Sequence, residues 1–112
     1  MARFAVILPA AGKSTRFGDP WRKKVFVDLK GRPVWLRTAE AFLSRPDVVQ
    51  TILCIAPEDH AWFREKFAAN LAFLNVEVVD GGAALADTVE AALARVKPQA
   101  DDVAVHDAAR PL

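Results

Sequence analysis

Near its start the chain reads PAAGKSTRFG, residues 9–18. Ala10, Ala11 and Gly12 are small enough for a ligand to lie against the backbone. Ser14 and Thr15 offer hydroxyls, and Lys13 and Arg16 bring positive charge. A guanidinium fork matches pairs of phosphate oxygens, so these residue types suit a triphosphate. The letters GKST invite comparison with a P-loop, which needs Gly-x-x-x-x-Gly-Lys-Ser/Thr so that backbone amides can wrap the phosphates. Where that pattern needs its first glycine the chain has Ile7, inside an apolar run. The P-loop is therefore excluded, and no Gly-x-Gly-x-x-Gly occurs either. The same residues would also serve an ordinary strand-to-helix turn, since short loops after strands are common.

Three further stretches carry groups capable of chemistry: KKVFVDLKGRPV, GGAALADT and HDAARP. Each has a plain alternative. Lys23 and Lys24 could belong to a solvated charged face, Gly81 and Gly82 to a strand-ending turn, Asp107 to a helix cap, and Arg110 to the general surface. His60 falls among polar neighbours in a helical pattern and reads as a surface residue. His106 has no Cys or His partner that would make a metal site. Cys54, Trp35 and Trp62 read as core.

The elements that must position these groups alternate. RFAVILPA is a buried strand ended by Pro and Gly. PVWLRTAEAFLS is a helix with proline in its first turn and Trp35, Ala39 and Phe42 on one face. VVQTILCIA is a second strand. PEDHAWFREKFAANLAFL reads as one helix, with Phe63, Phe67, Leu71 and Leu74 in line. VEVVD is a third strand. Leu85, Val89, Ala92, Leu93 and Val96 then mark the apolar face of another helix, and DVAVHD is a fourth strand. This alternation predicts an α/β fold, a Rossmann-like open and mainly parallel sheet with helices on both faces. Ligands in such sheets bind beyond the carboxyl ends of the strands. If the first and fourth strands are neighbours, the three loops after strands one, three and four converge on one crevice.

Composition narrows the class. The 112 residues make one compact domain, with 53% hydrophobic and 26% charged residues, the balance of a globular protein. A net charge of +1 from dispersed basic residues argues against a nucleic-acid partner. One cysteine fits a reducing compartment. No apolar run approaches the roughly 18–20 residues of a membrane span. A cytoplasmic protein with no membrane association is expected.

Taken in order, PAAGKSTRFG, KKVFVDLKGRPV, VVDGGAALADTV and VAVHDAARPL resemble the IspD-type cytidylyltransferases, which act on 2-C-methyl-D-erythritol 4-phosphate in non-mevalonate isoprenoid synthesis. The resemblance runs from the first strand to the last residue. It implies that Ala10, Ala11, Gly12, Lys13, Ser14 and Thr15 wrap the triphosphate of CTP. Arg16 and Lys24 would be catalytic, at the α-phosphate, with Lys23 the second candidate. Gly81, Gly82, Ala83 and Thr88 would recognise cytosine. Asp107 would lie at a magnesium ion on the triphosphate, with Ala108 and Arg110 beside it. CTP would be the nucleotide substrate, a sugar-alcohol phosphate the acceptor and Mg²⁺ the cofactor, with a homodimer left open.

Two departures from the family pattern stand out. Leu85 replaces a usual arginine and Thr88 a usual serine, so a charge near the nucleotide is lost while the hydroxyl is kept. The chain also corresponds to the N-terminal, nucleotide-binding half of the family's usual length, so the domain over residues 1–112 reads as apparently truncated. The residues that would hold methylerythritol phosphate have no counterpart here. Two other readings stay open: a related nucleotidyltransferase with another acceptor such as ribitol 5-phosphate, and an inactive nucleotide-binding fragment.

Overall fold

The apolar run Phe4–Pro9 forms strand β1, whose residues Ala5, Val6, Ile7 and Leu8 are at most 1% exposed. Such a strand must be covered on both faces, and the rest of the chain does so. The computed structural model describes residues 2–10, 28–29, 32–82 and 84–108. After β1 come the short strands β2 (Asp28–Leu29) and β3 (Arg32–Pro33), which pair antiparallel. Helix α1 (Val34–Leu43) leads to β4 (Val48–Ile55), a 3₁₀ turn (Pro57–Asp59), and helices α2 (His60–Lys66) and α3 (Ala68–Phe73). Strand β5 (Val76–Asp80), helix α4 (Leu85–Leu93) and strand β6 (Asp102–Val105) complete the order.

The main sheet runs β5-β4-β1-β6 with every pair parallel. The first and last of the four expected strands are therefore neighbours, as convergence of the loops required. Alternation along the strands feeds two cores. Val6, Leu8, Leu53, Ile55 and Val78 point to one face, where Trp35, Leu36 and Ala39 of α1 meet Phe63 and Phe67. Ile7, Ile52, Cys54 and Val79 point to the other, against Ala92 of α4 and Val96. Helices thus cover both faces.

Local details depart from the sequence pattern. Pro33 caps α1 instead of entering its first turn. The single helix expected from Pro57 to Leu74 is divided at Phe67, whose φ of −109° and ψ of 24° interrupt the helical run. Hydrogen bonds from Phe67 N–H to Phe63 O (3.0 Å) and from Leu71 N–H to Phe67 O (2.9 Å) carry the chain through. The ring decides the geometry: Phe67 sits 4.9 Å from Phe63 and 5.2 Å from Trp35, in tilted and edge-on contacts, so aromatic packing overrides helical regularity. Along α4 and just past its end the expected face holds at Ala92 and Val96, which join the core on that side, and fails at the two leucines. Leu85 is 63% and Leu93 47% exposed, while Thr88 and Ala92 are buried. Small side chains there let the helix approach the sheet, and the leucines turn outward. Trp62, expected in the core, is only partly buried and packs on its rim.

Burial pushes the Cys54 thiol up from 9.0 to about 11. Its neutral form favours the folded state. That contribution is complete below pH 9 and is lost as pH rises toward 11. Stability should therefore fall by about 2 kcal/mol more in the parent than in Cys54→Ala between about pH 8 and 10.5, read by urea denaturation. Phe63→Ala should cost about 3–5 kcal/mol in the same assay, and Phe73→Ala less than about 0.5, since Phe73 is 89% exposed.

Candidate functional site

Each strand that reaches the carboxyl edge of the sheet hands one more hydrogen bond to its neighbour. Ala10 N–H bonds Cys54 O at 2.7 Å, Gly81 N–H bonds Ile55 O at 2.7 Å, and Ala108 N–H bonds Pro9 O at 3.2 Å. The ladder is thereby extended past β1, β5 and β6. Ala10, Gly81–Gly82 and Asp107–Ala108 are pinned along one rim, the crevice expected for a ligand in this topology.

The Gly81–Gly82 turn is held by Thr88, two residues and a helical turn further on. Gly82 N–H donates to Thr88 Oγ1 at 3.0 Å, and the same hydroxyl donates to Gly82 O at 3.4 Å. A Cβ on Gly82 would collide with the Cβ of Asp87, so only glycine allows α4 to start this close to the turn. Thr88 is 1% exposed, and its hydroxyl is engaged with backbone; it shapes the turn from behind. Leu85, in the first turn of the same helix, projects into solvent.

Across the rim, Thr38 of α1 shares its hydroxyl proton between Val34 O and Ala108 O, each at 3.1 Å. Phe42, one turn later, meets the His106 ring edge-on at 5.3 Å. Helix α1 thus anchors both sides of Asp107, whose carboxylate is exposed at the rim. Among the described residues no three His, Cys, Asp or Glu gather into a metal cluster. His60, expected on the surface, is partly exposed there and bonds Asp80 at the end of β5.

Of the residues expected in the site, Ala10, Gly81, Gly82, Asp107 and Ala108 are brought to one edge, with Thr88 behind them. Ala11, Gly12, Lys13, Ser14, Thr15, Arg16, Lys24, Ala83 and Arg110 lie outside the described residues. Thr38 and the His60–Asp80 pair were not foreseen. Their partners stand 70 and 20 residues away along the chain, so no local spacing announces them.

The model of one protein family, 2-C-methyl-D-erythritol 4-phosphate cytidylyltransferase, IspD, matches residues 4–112. The chain belongs to the IspD family. Among IspD relatives, the 2-C-methyl-D-erythritol 4-phosphate cytidylyltransferase of Rhodopirellula baltica is 40% identical over 122 residues, covering 99% of this chain and 50% of the relative. The crystal structure of Francisella tularensis IspD is 28% identical with a TM-score of 0.70, covering 98% of this chain and 46% of that one. A 4-diphosphocytidyl-2C-methyl-D-erythritol synthase from Anaerococcus prevotii, 20% identical with a TM-score of 0.76, shares the fold over 99% of this chain and 45% of its own. The chain spans about half the length of these IspD relatives.

Thr88→Val should destabilise the chain by about 1–2 kcal/mol in urea, because it strips the Gly82 amide of its acceptor and buries no new polar group. Thr88→Ser, which keeps the hydroxyl, should lose less than half of that in the same assay.

Proposed function

We propose that the chain is the nucleotide-binding half of a CTP-dependent cytidylyltransferase. The reaction transfers CMP from CTP to 2-C-methyl-D-erythritol 4-phosphate, releases pyrophosphate and gives 4-diphosphocytidyl-2-C-methyl-D-erythritol. The observation that carries the reading is the match to IspD over residues 4–112. The alignment of Ala10, Gly81–Gly82 and Asp107–Ala108 on one rim supports it.

In this reading a phosphate oxygen of the acceptor attacks the α-phosphorus of CTP in line, and pyrophosphate leaves. The nucleophile is already anionic, so no histidine base is needed. Catalysis then rests on holding negative charge in fixed positions. Ala10 to Thr15 present amides and hydroxyls to the triphosphate, and Arg16 and Lys24 set cations at the α-phosphate. Gly81, Gly82 and Ala83 leave the base room to meet backbone atoms, with Thr88 fixing the turn. Ala108 and Arg110 flank the phosphates.

Asp107 is the described residue suited to Mg²⁺, which takes oxygen ligands, keeps several waters and is commonly held by one or two carboxylates plus substrate phosphates. When bound, the ion would neutralise phosphate charge. A cytoplasmic location and a homodimer belong to the same reading.

Calorimetric titration with Mg-CTP, UTP, GTP and ATP tests it. Binding of CTP alone is expected, weakened at least about tenfold in Arg16→Ala through loss of a charge-assisted contact. Absence of CTP binding would overturn the reading. Binding without pyrophosphate release on adding methylerythritol phosphate would make this chain a nucleotide-binding module, and release with ribitol 5-phosphate alone would reassign the acceptor.

A further inference from the structure

Asp80 is the last residue of β5, paired with Ile55 and followed at once by Gly81. Its side chain is 55% exposed, so nothing in the strand itself selects its rotamer. The first residue of α2 does. His60 Nδ1 lies 2.5 Å from Asp80 Oδ1, and Arg64 Nε, one helical turn on, donates to His60 Nε2 at 2.7 Å. A ring nitrogen that accepts carries no proton, so with Nε2 accepting from Arg64 this imidazole has its proton on Nδ1, which donates a hydrogen bond to the carboxylate. The chain Arg64 to His60 to Asp80 ties α2 to the tip of β5.

We propose that His60 is a positioning residue for the nucleotide site, acting through Asp80 on the Gly81–Gly82 turn. Three consecutive residues of this turn are held from three different elements. His60 of α2 holds Asp80, Ile55 O of β4 receives the Gly81 amide, and Thr88 of α4 clamps Gly82. Two adjacent glycines have the widest backbone freedom of any pair, so the turn takes one shape only if its ends are fixed. Thr88 fixes one end and His60 the other. The same contact gives the carboxylate next to Gly81 a hydrogen-bond donor. The consequence for nucleotide affinity rests on the reading proposed above; the effect on the turn does not.

Two readouts keep these apart. In the nucleotide-free chain, ring ¹⁵N spectra should show His60 in the Nδ1–H form. Hydrogen exchange of the Gly81 and Gly82 amides should quicken about tenfold in His60→Ala, the scale of one partly exposed hydrogen bond to a charged group. The Ile52 and Leu53 amides within β4 should keep their rates. His60→Asn, which retains a donor toward Asp80, should recover most of the protection. In calorimetry, His60→Ala should weaken Mg-CTP binding by a similar factor and His60→Asn should restore it.

Unchanged glycine exchange in His60→Ala, or an equal rise at Ile52 and Leu53, would overturn the inference whether or not CTP binds. Failure of the parent chain to bind CTP would overturn the nucleotide reading and leave the exchange test in force.

Discussion

The structure depends on the central position of β1. Flanked by β4 and β6 in parallel and covered on both faces, this strand can present almost no polar group to a ligand. Its side chains are committed to two cores and its amides to two ladders. Any group free to face a ligand is displaced to the first residue beyond the strand, and the same holds for β5. Pro9 marks the limit: it has no N–H to give, yet its carbonyl receives Ala108 N–H, and the chain leaves the sheet at Ala10.

The two cores differ in kind, and the difference suits the site. On one face Trp35, Phe63 and Phe67 interlock, so α1 and α2 are held by large buried rings. That rigidity reaches the rim through Thr38, which grips Ala108 O, and through His60, which grips Asp80. On the other face the helix contacts are small. Ala92 and Thr88 bring α4 close enough for a hydroxyl to clamp Gly82. A large residue at either position would move the helix away from the turn. At the opposite edge Gln50, nearly buried in β4, accepts the Lys97 N–H and donates to Arg95 O and Glu77. The end of α4 is thus moored as firmly as its start.

Much of this arrangement was legible in the residues. The apolar runs predicted four strands, their alternation with helical patterns predicted parallel crossovers, and the loop residues pointed to the rim where Ala10, Gly82 and Asp107 are found. The positions that escaped were decided by partners distant in the chain. Periodicity marked Leu85, Ala92 and Leu93 as buried, but contact with the sheet kept Ala92, added Thr88 and turned the leucines out, because a close helix has room only for small side chains. The same periodicity ran one helix through Phe67, where ring packing interrupts it. His60 among polar neighbours looked like a surface residue, and nothing near it in sequence points to Asp80.

By itself, then, the amino-acid sequence determined the class of fold, the edge of the sheet on which the described candidate residues fall and the family to which the chain belongs. Each of these follows from local pattern: hydrophobic period, the residues that end strands, and short motifs. Only the tertiary structure decided which face of α4 is buried, how Thr88 and Gly82 share a hydroxyl, and which side chains brace the turn beside the glycines. Those are contacts between segments brought together by folding, and their geometry exists only once both cores have closed on the sheet.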